Sequence, residues 1–281
     1  MAPVDSEPAT RGRLASPLSG HVVLLTGASE GIGRALAIEL APQRLSLVLT
    51  ARNRERLEEL ARECEARGST TLVVPADLTD MAQCQALVDA ALGRFGRLDV
   101  LINNAGATMW SRLDALADLT ALDRLMRINY LGAAHLTALA LPSLKRTQGR
   151  VVAIASLAGF TGVPERTGYA ASKHAMVGFF ESLRVELQGT GVTVTIIAPD
   201  FVRSEIHKRA IGPDGRALGR SPMQHDRIMG AEQCARLIVP AIEQRKRLLI
   251  TSTRGKLGRW LKLIAPRLVD RIAAAAIRDR R

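Results

Sequence analysis

The sequence predicts an α/β fold in which one doubly wound parallel sheet carries helices on both faces. Two observations lead to this prediction. Short apolar segments alternate with longer segments of helical periodicity, an order that is typical of βαβ units with right-handed crossovers. The short segments, such as residues 21–26 and 150–155, are also apolar at consecutive positions, which indicates strands that are covered on both sides.

The predicted elements alternate from the first strand to the sixth. Strands are predicted at residues 21–26, 45–50, 71–75, 98–102, 150–155 and 192–197. Helices are predicted at residues 31–40, 54–67, 80–95, 119–145 and 169–187. Because sheets of this kind bind ligands beyond the carboxyl ends of their strands, functional residues are expected in the loops that follow the strands.

The composition indicates a globular protein and argues against some kinds of site. The chain has 281 residues, of which 47% are apolar, and this suits one large α/β domain or two small ones. Cys64, Cys84 and Cys234 are far apart, which argues against a disulfide framework and fits a reducing, cytoplasmic location. The five histidines are scattered without ligand spacing, so no metal site is expected.

Three parts can be distinguished along the chain. Residues 1–19 lack the apolar stretch of a secretory signal, and we predict a loose leader. Residues 20–250 form the α/β domain, and residues 251–281 form a basic tail. Within the domain, residues 201–230 interrupt the alternation and are rich in Gly, Pro, Arg and His. Their place after the sixth strand favours a flexible substrate lid, with a plain surface loop as the alternative.

A glycine-rich turn joins the first strand to the first helix. Its sequence is TGASEGIG, with glycines at Gly27, Gly31 and Gly33. Glycines let a pyrophosphate approach the backbone, and the N-terminus of the following helix offers free N–H groups and a positive dipole end. Glycines also occur in ordinary loops, but this turn opens the first βαβ unit. That context is specific for a Rossmann-type dinucleotide site.

The end of the second strand indicates which nicotinamide cofactor is used. An acidic residue there would bind the ribose 2′-hydroxyl of NAD, whereas an arginine accommodates the 2′-phosphate of NADP. The sequence at this point is Thr50-Ala51-Arg52-Asn53-Arg54, which contains no carboxylate. Arg52 is well placed for bidentate phosphate contact, and Arg54 could assist it. The alternative is that both arginines belong to a solvated helix face.

A tyrosine and a lysine follow the fifth strand with helical spacing. Tyr169 and Lys173 are four residues apart, which places them on one face of a helix. A free tyrosine has a pKa near ~10, and a nearby ammonium lowers it toward the range that acid/base chemistry needs. Ser156 lies just past the fifth strand and adds a hydroxyl at the predicted crevice. The alternative is a core tyrosine beside a surface lysine.

Several motifs in this order resemble those of the short-chain dehydrogenase/reductase (SDR) family, over about residues 20–250. The glycine turn matches the family's TGxxxGxG pattern, Asp77 its aspartate near the adenine ring, and residues 103–106 its NNAG sequence. The family's four catalytic positions are matched by Asn129, Ser156, Tyr169 and Lys173. The resemblance therefore implies a dinucleotide-binding catalytic domain.

The resemblance also implies roles for these residues. Tyr169 would protonate a carbonyl oxygen as a hydride arrives from the nicotinamide, and Ser156 would hold that oxygen. Lys173 would bind the nicotinamide ribose and bias Tyr169. Asn129 would support a water in a proton relay; from the residues alone, it could equally be a polar residue that faces solvent. The cofactor contacts implied are Gly27, Ser29, Glu30, Gly31, Ile32, Gly33, Arg52, Asp77, Leu78, Asn104, Ala105, Gly106, Tyr169, Lys173 and Pro199.

The sequence departs from the family pattern at three positions. Asp200 replaces the usual Gly after Pro199, and Ser204 replaces the usual Thr. Glu30 stands where many NADP-using members carry Arg or Lys, so the expectation of NADP rests on Arg52. The stretch around Arg52 looks like that of NADP-dependent members that act on lipids or steroids.

The tail carries much of the chain's positive charge. Residues 252–281 contain nine Lys or Arg and two Asp, a net of +7 out of +12 for the chain, which argues against a global nucleic-acid site. Residues 256–276 predict a basic amphipathic helix, kinked at Pro266. Such a helix, over residues 254–276, could lie on a membrane surface. The favoured alternative is that it packs on the protein's own body or on a second subunit.

The sequence as a whole predicts an NADP-dependent oxidoreductase. The expected reaction transfers a hydride between the nicotinamide and a small-molecule carbonyl or secondary alcohol, with a hydrophobic, lipid- or steroid-like substrate. The alternative is an NADP(H)-binding sensor or scaffold without turnover. We expect a homodimer or homotetramer and no nucleic-acid partner. No run of eighteen apolar residues predicts a membrane-spanning helix.

Overall fold

One parallel sheet forms the centre of the structure, a computed structural model that describes residues 16–222 and 228–278. Its strands are β1 (Val22–Thr26), β2 (Ser46–Thr50), β3 (Thr70–Val73), β4 (Val100–Asn103), β5 (Arg150–Ile154), β6 (Thr193–Ala198) and β7 (Leu248–Ile250). The strand order is β3-β2-β1-β4-β5-β6-β7, and every pairing is parallel. The predicted doubly wound Rossmann-type sheet is confirmed.

Helices cover both faces of this sheet. They are α1 (Gly31–Leu40), α2 (Arg54–Glu65), α3 (Met81–Phe95), α4 (Thr120–Met126), α5 (Gly132–Arg146), α6 (Thr167–Glu186), α7 (Ala231–Glu243), α8 (Thr253–Ile264) and α9 (Pro266–Arg278). Alternate side chains of β1 separate two cores. Val23 and Leu25 pack in the core that contains α1 and α7, and Leu24 packs in the core that contains α3, α5 and α6.

The sheet changes direction between β1 and β4. From β1 the chain winds outward through β2 and β3, and it then crosses back to begin the other half at β4. The loops that follow β1 and β4 consequently separate and leave a crevice at the carboxyl ends of these strands. Sheets of this topology bind their ligands at that point.

Three elements differ from the sequence prediction. The structure adds β7 and α7, which lie beyond the sixth predicted strand. The long helix predicted over residues 119–145 is divided into α4 and α5 by a π-helical turn, Arg127–Leu131. A π turn of this kind frequently marks a functional site, and Asn129 lies in it.

Both ends of the domain are described in part. Residues 16–19, which the prediction placed in the loose leader, pack on the domain: Leu18 is fully buried, and the Ser16 hydroxyl donates to Gln43 Oε1 at 2.6 Å. The predicted tail forms α8 and α9, separated at Pro266 as expected. Across the described residues, no helix has the length and apolar character to cross a membrane. Residues 1–15, 223–227 and 279–281, which belong to the predicted leader, lid and tail, lie outside the described residues.

Candidate active site

A cavity of about 1040 Å³ opens at the carboxyl ends of the strands. Almost all of the predicted site residues line it, from the glycine turn to Ser156, Tyr169, Lys173 and Pro199. The two exceptions lie directly behind the lining. Gly33 packs against Gly27, and Asn129 is hydrogen-bonded to Ala107. The structure therefore brings together in one place the residues that the motifs singled out along the chain.

The glycine turn is held in place by the loop that follows β4. The Asn104 side chain donates to the carbonyl oxygens of Thr26 at 2.9 Å and Gly27 at 3.1 Å. In return, Thr26 Oγ1 accepts the backbone N–H groups of Asn104 and Ala105, at 2.8 and 2.9 Å. Gly27 adopts a φ of +63°, which side-chain-bearing residues rarely tolerate. The TGxxxGxG and NNAG motifs thus form one hydrogen-bonded unit.

The N-terminus of α1 is open to the cavity. Glu30, the N-cap residue, makes no side-chain bond to the first N–H groups of the helix. Its carboxylate instead forms ion pairs with Arg56, at 3.1 Å, and with Arg209. Gly31 and Ile32 line the cavity, so uncapped N–H groups and the positive helix end face it. This arrangement fits the pyrophosphate of a dinucleotide.

Arg52 lies just beyond the end of β2. It is exposed and lines the cavity, and it forms no hydrogen bond or ion pair with any residue that the structure describes. Its neighbour Asn53 caps α2 by accepting the Arg56 N–H at 2.9 Å. Arg54, which the sequence suggested as a second contact to the 2′-phosphate, pairs with Glu58 and does not line the cavity.

Tyr169 and Lys173 occupy one face of α6, as the four-residue spacing predicts. Both are buried, and both line the cavity. The Lys173 ammonium donates to the carbonyl oxygen of Ile154, at the end of β5, at 2.9 Å. Burial lowers the pKa of Lys173 to about 8, because the interior disfavours the charged form. Lys173 is therefore no surface lysine, and that alternative is wrong.

Ser156 follows β5 and begins a short 3₁₀ turn, Leu157–Gly159. Its hydroxyl oxygen accepts the Ala158 N–H at 3.2 Å, which leaves the hydroxyl proton available to a substrate oxygen. The start of the turn is anchored to the next loop, because the Leu157 N–H donates to the Pro199 carbonyl at 3.0 Å. The loops after β5 and β6 are thus fixed relative to each other.

Asn129 is fully buried, so the alternative of a solvent-facing side chain is wrong. Its Nδ2 donates to the Ala107 carbonyl at 2.9 Å and to the Ser172 hydroxyl at 2.8 Å. Its Oδ1 accepts the Ala107 N–H at 2.8 Å. Ser172 in turn donates to the Tyr169 carbonyl at 2.8 Å. The side chain of Asn129 therefore ties the loop after β4 to the helix that carries the tyrosine.

Arg166 lines the cavity, carries no motif and escaped sequence analysis. Arg166, buried at the start of α6, places its guanidinium 4.3 Å from the centre of the Tyr169 ring. It also lies over Trp110, at 5.2 Å, and donates to the Thr108 hydroxyl at 2.5 Å. A cation over an aromatic face is attracted to it, so Arg166 helps to hold the ring. Only the fold reveals this contact, since an arginine three residues before a tyrosine has no significance in a sequence.

The described part of the predicted lid lines the cavity. Phe201, Ile206 and Ile211 contribute to the wall of the cavity. Ile211 also forms a β-bridge with Met109. Met109 and Tyr169 share a small apolar cluster that Ile211 covers. These contacts favour the lid over the plain surface loop, and its movement stays a prediction.

Comparisons with known proteins agree with this geometry. The sequence profile of the family described as short chain dehydrogenase matches residues 21–212. The chain belongs to this family. Among its relatives, 11-beta-hydroxysteroid dehydrogenase 1A of Arabidopsis thaliana is 35% identical over 260 residues, which are 90% of this chain and 74% of the relative. The mouse dehydrogenase/reductase SDR family member 7B is 35% identical over 271 residues, covering 94% and 83% of the two chains.

Solved structures of SDR proteins have the same fold. A short chain dehydrogenase/reductase from Burkholderia phymatum, in complex with NAD, superimposes with a TM-score of 0.79 at 28% identity, over 90% of this chain and 96% of that one. An alcohol dehydrogenase from Thermococcus sibiricus, complexed with 5-hydroxy-NADP, gives 0.73 at 25% identity, over 83% and 96%. The protein is thus an SDR oxidoreductase by family, and its family binds nicotinamide cofactors.

Proposed function

We propose that this protein is an NADP-dependent oxidoreductase that interconverts a carbonyl and a secondary alcohol on an apolar substrate. The observation that carries the proposal is the shared cavity: Ser156, Tyr169 and Lys173 line it together with the open N-terminus of α1 and Arg52. The first group provides acid/base chemistry and the second binds phosphate. One ligand that spans both groups is a dinucleotide.

Each catalytic residue has a role that follows from its surroundings. A bound nicotinamide supplies or accepts the hydride. The Tyr169 hydroxyl gives its proton to the substrate oxygen, and the Ser156 hydroxyl donates a hydrogen bond to the same oxygen. The Lys173 ammonium, buried one helical turn away, favours the phenolate that remains. Tyr169 is largely buried, so its hydroxyl is reached from the cavity that would hold the substrate.

The cavity wall supports an apolar substrate. Its apolar members include Leu157, Val163, Phe201, Ile211, Val269 and Ile272. Several relatives are named as hydroxysteroid dehydrogenases, which is compatible with this wall. All four catalytic positions are filled, which argues against the sensor or scaffold alternative. A panel of carbonyl substrates with NADPH and NADH tests the proposal, and cofactor binding without turnover across the panel would favour the sensor.

Replacing Arg52 with alanine tests the cofactor preference. The expected result is a loss of about tenfold or more in kcat/KM for NADPH, with little change for NADH, because a charge-assisted phosphate contact contributes roughly 1.5–3 kcal/mol. Arg54→Ala is the matched control, since Arg54 lies two residues away but outside the cavity. The NADPH/NADH ratio of kcat/KM is the measurement. An unchanged ratio in Arg52→Ala would remove the basis for NADP.

We also propose that the tail contacts an anionic lipid surface. Trp260, Leu263 and Ile264 are 67%, 72% and 81% exposed on α8, and neighbouring cations such as Lys256 and Arg267 give the tail its positive charge. Exposed apolar residues among cations are typical of helices that lie in a membrane interface. The cytoplasmic location and the homo-oligomer expected from the sequence stay predictions.

Vesicle sedimentation tests this contact. Phosphatidylcholine vesicles that contain phosphatidylserine should bind the protein, and Trp260→Ser with Ile264→Ser should weaken binding about tenfold or more, because burial of each large apolar side chain contributes about 1.5–3 kcal/mol. Val185→Ser is the control, since Val185 is 60% exposed on α6, outside the tail. Equal binding by all three proteins, or none to anionic vesicles, would exclude the proposal.

A further inference from the structure

The helix pair α8–α9 is docked on the two loops that form the active site. At its start, Gly255 packs so closely on Leu157 that a Cβ at this glycine would lie 2.7 Å from the leucine side chain. Two residues before the end of α8, Lys262 donates to the Phe160 carbonyl at 2.8 Å. Arg259 lies between them, with its guanidinium 5.1 Å from the centre of the Phe160 ring. Three separate contacts therefore fix α8 against the loop that carries Ser156.

Asp200, the residue that departs from the family pattern, makes a fourth contact. Its carboxylate accepts hydrogen bonds from Arg254 at 2.9 Å and from the Ser252 hydroxyl at 2.8 Å. Ser252 also caps α8 by accepting the Gly255 N–H at 3.0 Å. The Asp200 N–H donates to the Thr251 hydroxyl at 3.1 Å. A glycine at position 200 could offer none of the carboxylate bonds, so this attachment of the tail depends on the departure.

The docked helix pair reaches the cavity that holds Tyr169. Arg254 lines the cavity at the start of α8, and Val269, Ile272 and Ala273 line it from α9. Their spacing of three and four residues places these three apolar positions on one face of α9. Leu157 and Phe201 line the same cavity, so α9 adds a second apolar surface to it.

We propose that α9 is a specificity-determining wall of the substrate cavity, and that the Asp200–Arg254 ion pair is the positioning contact that holds it there. This inference rests on the proposed function, since it concerns the substrate of the same site. The apolar face of α9 selects substrates with a large, rigid apolar body. Small ketones do not extend to it and are not selected by it. Arg254 and Asp200 touch neither reacting atom and act through the placement of the helix pair.

Val269→Phe tests the wall. The substitution places a larger side chain at a position that lines the cavity. Leu268→Phe is the matched control, because Leu268 is the neighbouring residue and does not line the cavity. A tetracyclic steroid ketone and cyclohexanone are the probes. In Val269→Phe the steroid-to-cyclohexanone ratio of kcat/KM should fall about tenfold or more, and the Kd of the steroid ketone by calorimetry should rise about tenfold or more. Leu268→Phe should keep both values.

Arg254→Ala tests the positioning contact, with Lys256→Ala as the control that removes a neighbouring exposed cation. Hydrogen exchange of α8 and α9, followed by mass spectrometry, should be faster in Arg254→Ala and unchanged in Lys256→Ala. Equal exchange in both variants would overturn the role of the ion pair.

A steroid Kd that is the same in Val269→Phe and Leu268→Phe, or no steroid binding to the native protein, would overturn the proposed role of α9 as a wall of the substrate cavity. Calorimetry and hydrogen exchange do not depend on turnover, so they test the role of α9 even if the protein is inactive. A native protein that reduces no ketone would contradict the proposed function and not these binding results.

Discussion

Tyr169→Phe should lower kcat/KM for carbonyl reduction by about 10²–10⁴-fold while NADPH binding persists. The change deletes one hydroxyl and keeps the ring, so the packing in the cluster of Met109 and Ile211 and the stacking under Arg166 are retained. What is lost is the proton donor. The loss should therefore appear in kcat, with little change in the Kd of NADPH measured by calorimetry.

The chain offers a well-matched control for this substitution. It contains two tyrosines, and the other, Tyr130, lies in the π-helical turn with its ring edge-to-face against Phe179. Tyr130 does not line the cavity, so Tyr130→Phe removes the same atom from a different place. Near-native turnover is expected for this variant. Comparable turnover in the two variants would take the proton-transfer role away from Tyr169.

Gly33→Ala should damage both cofactor binding and stability. A Cβ at residue 33 would lie 2.1 Å from the Gly27 carbonyl oxygen and 2.6 Å from Asn104 Nδ2. Both neighbours belong to the hydrogen-bonded unit of the two motifs, so the turn must move to admit a methyl group. We expect the free energy of unfolding to fall by about 1–3 kcal/mol, a typical cost of overpacking. The Kd of NADPH should rise about tenfold or more, since about 1.4 kcal/mol corresponds to each factor of ten.

Gly178→Ala is the control, because the same glycine-to-alanine change is expected to raise the free energy of unfolding here. Gly178 lies inside α6, and nothing stands within 4 Å of the place where its Cβ would be. Alanine should stabilise the helix by about 0.5–1 kcal/mol relative to glycine. Urea unfolding measures both variants. Stabilisation by Gly33→Ala, or NADPH binding as tight as in the native protein, would show that the turn does not need its glycine there.

Much of the candidate site follows from the sequence because its residues are set by local geometry. A helix brings Tyr169 and Lys173 to one face, and parallel strands bring the loops after β1, β4 and β5 to one edge of the sheet. These rules depend only on spacing and on the order of elements. The glycine turn and Ser156 were located in the same way.

The remainder depends on contacts between distant parts of the chain. The pairing of Asp200 with Arg254 joins residues 54 positions apart, and no periodicity or spacing marks it. The stacking of Arg166 on Tyr169 depends on the path of a loop. β7 has three residues, LLI, and such a short apolar segment cannot be distinguished from part of a helix. The π turn at Asn129 has no pattern that separates it from α-helix.

Transfer of the label from NADPH deuterated at C4 of the nicotinamide tests hydride transfer in this cavity. The native protein is incubated with the labelled cofactor and a ketone that the substrate panel identifies, and the product alcohol is examined by mass spectrometry. We expect one deuterium at the carbinol carbon when the label occupies one of the two C4 positions, and none when it occupies the other. Unlabelled alcohol from both cofactors would contradict direct hydride transfer, and with it the role given to Tyr169.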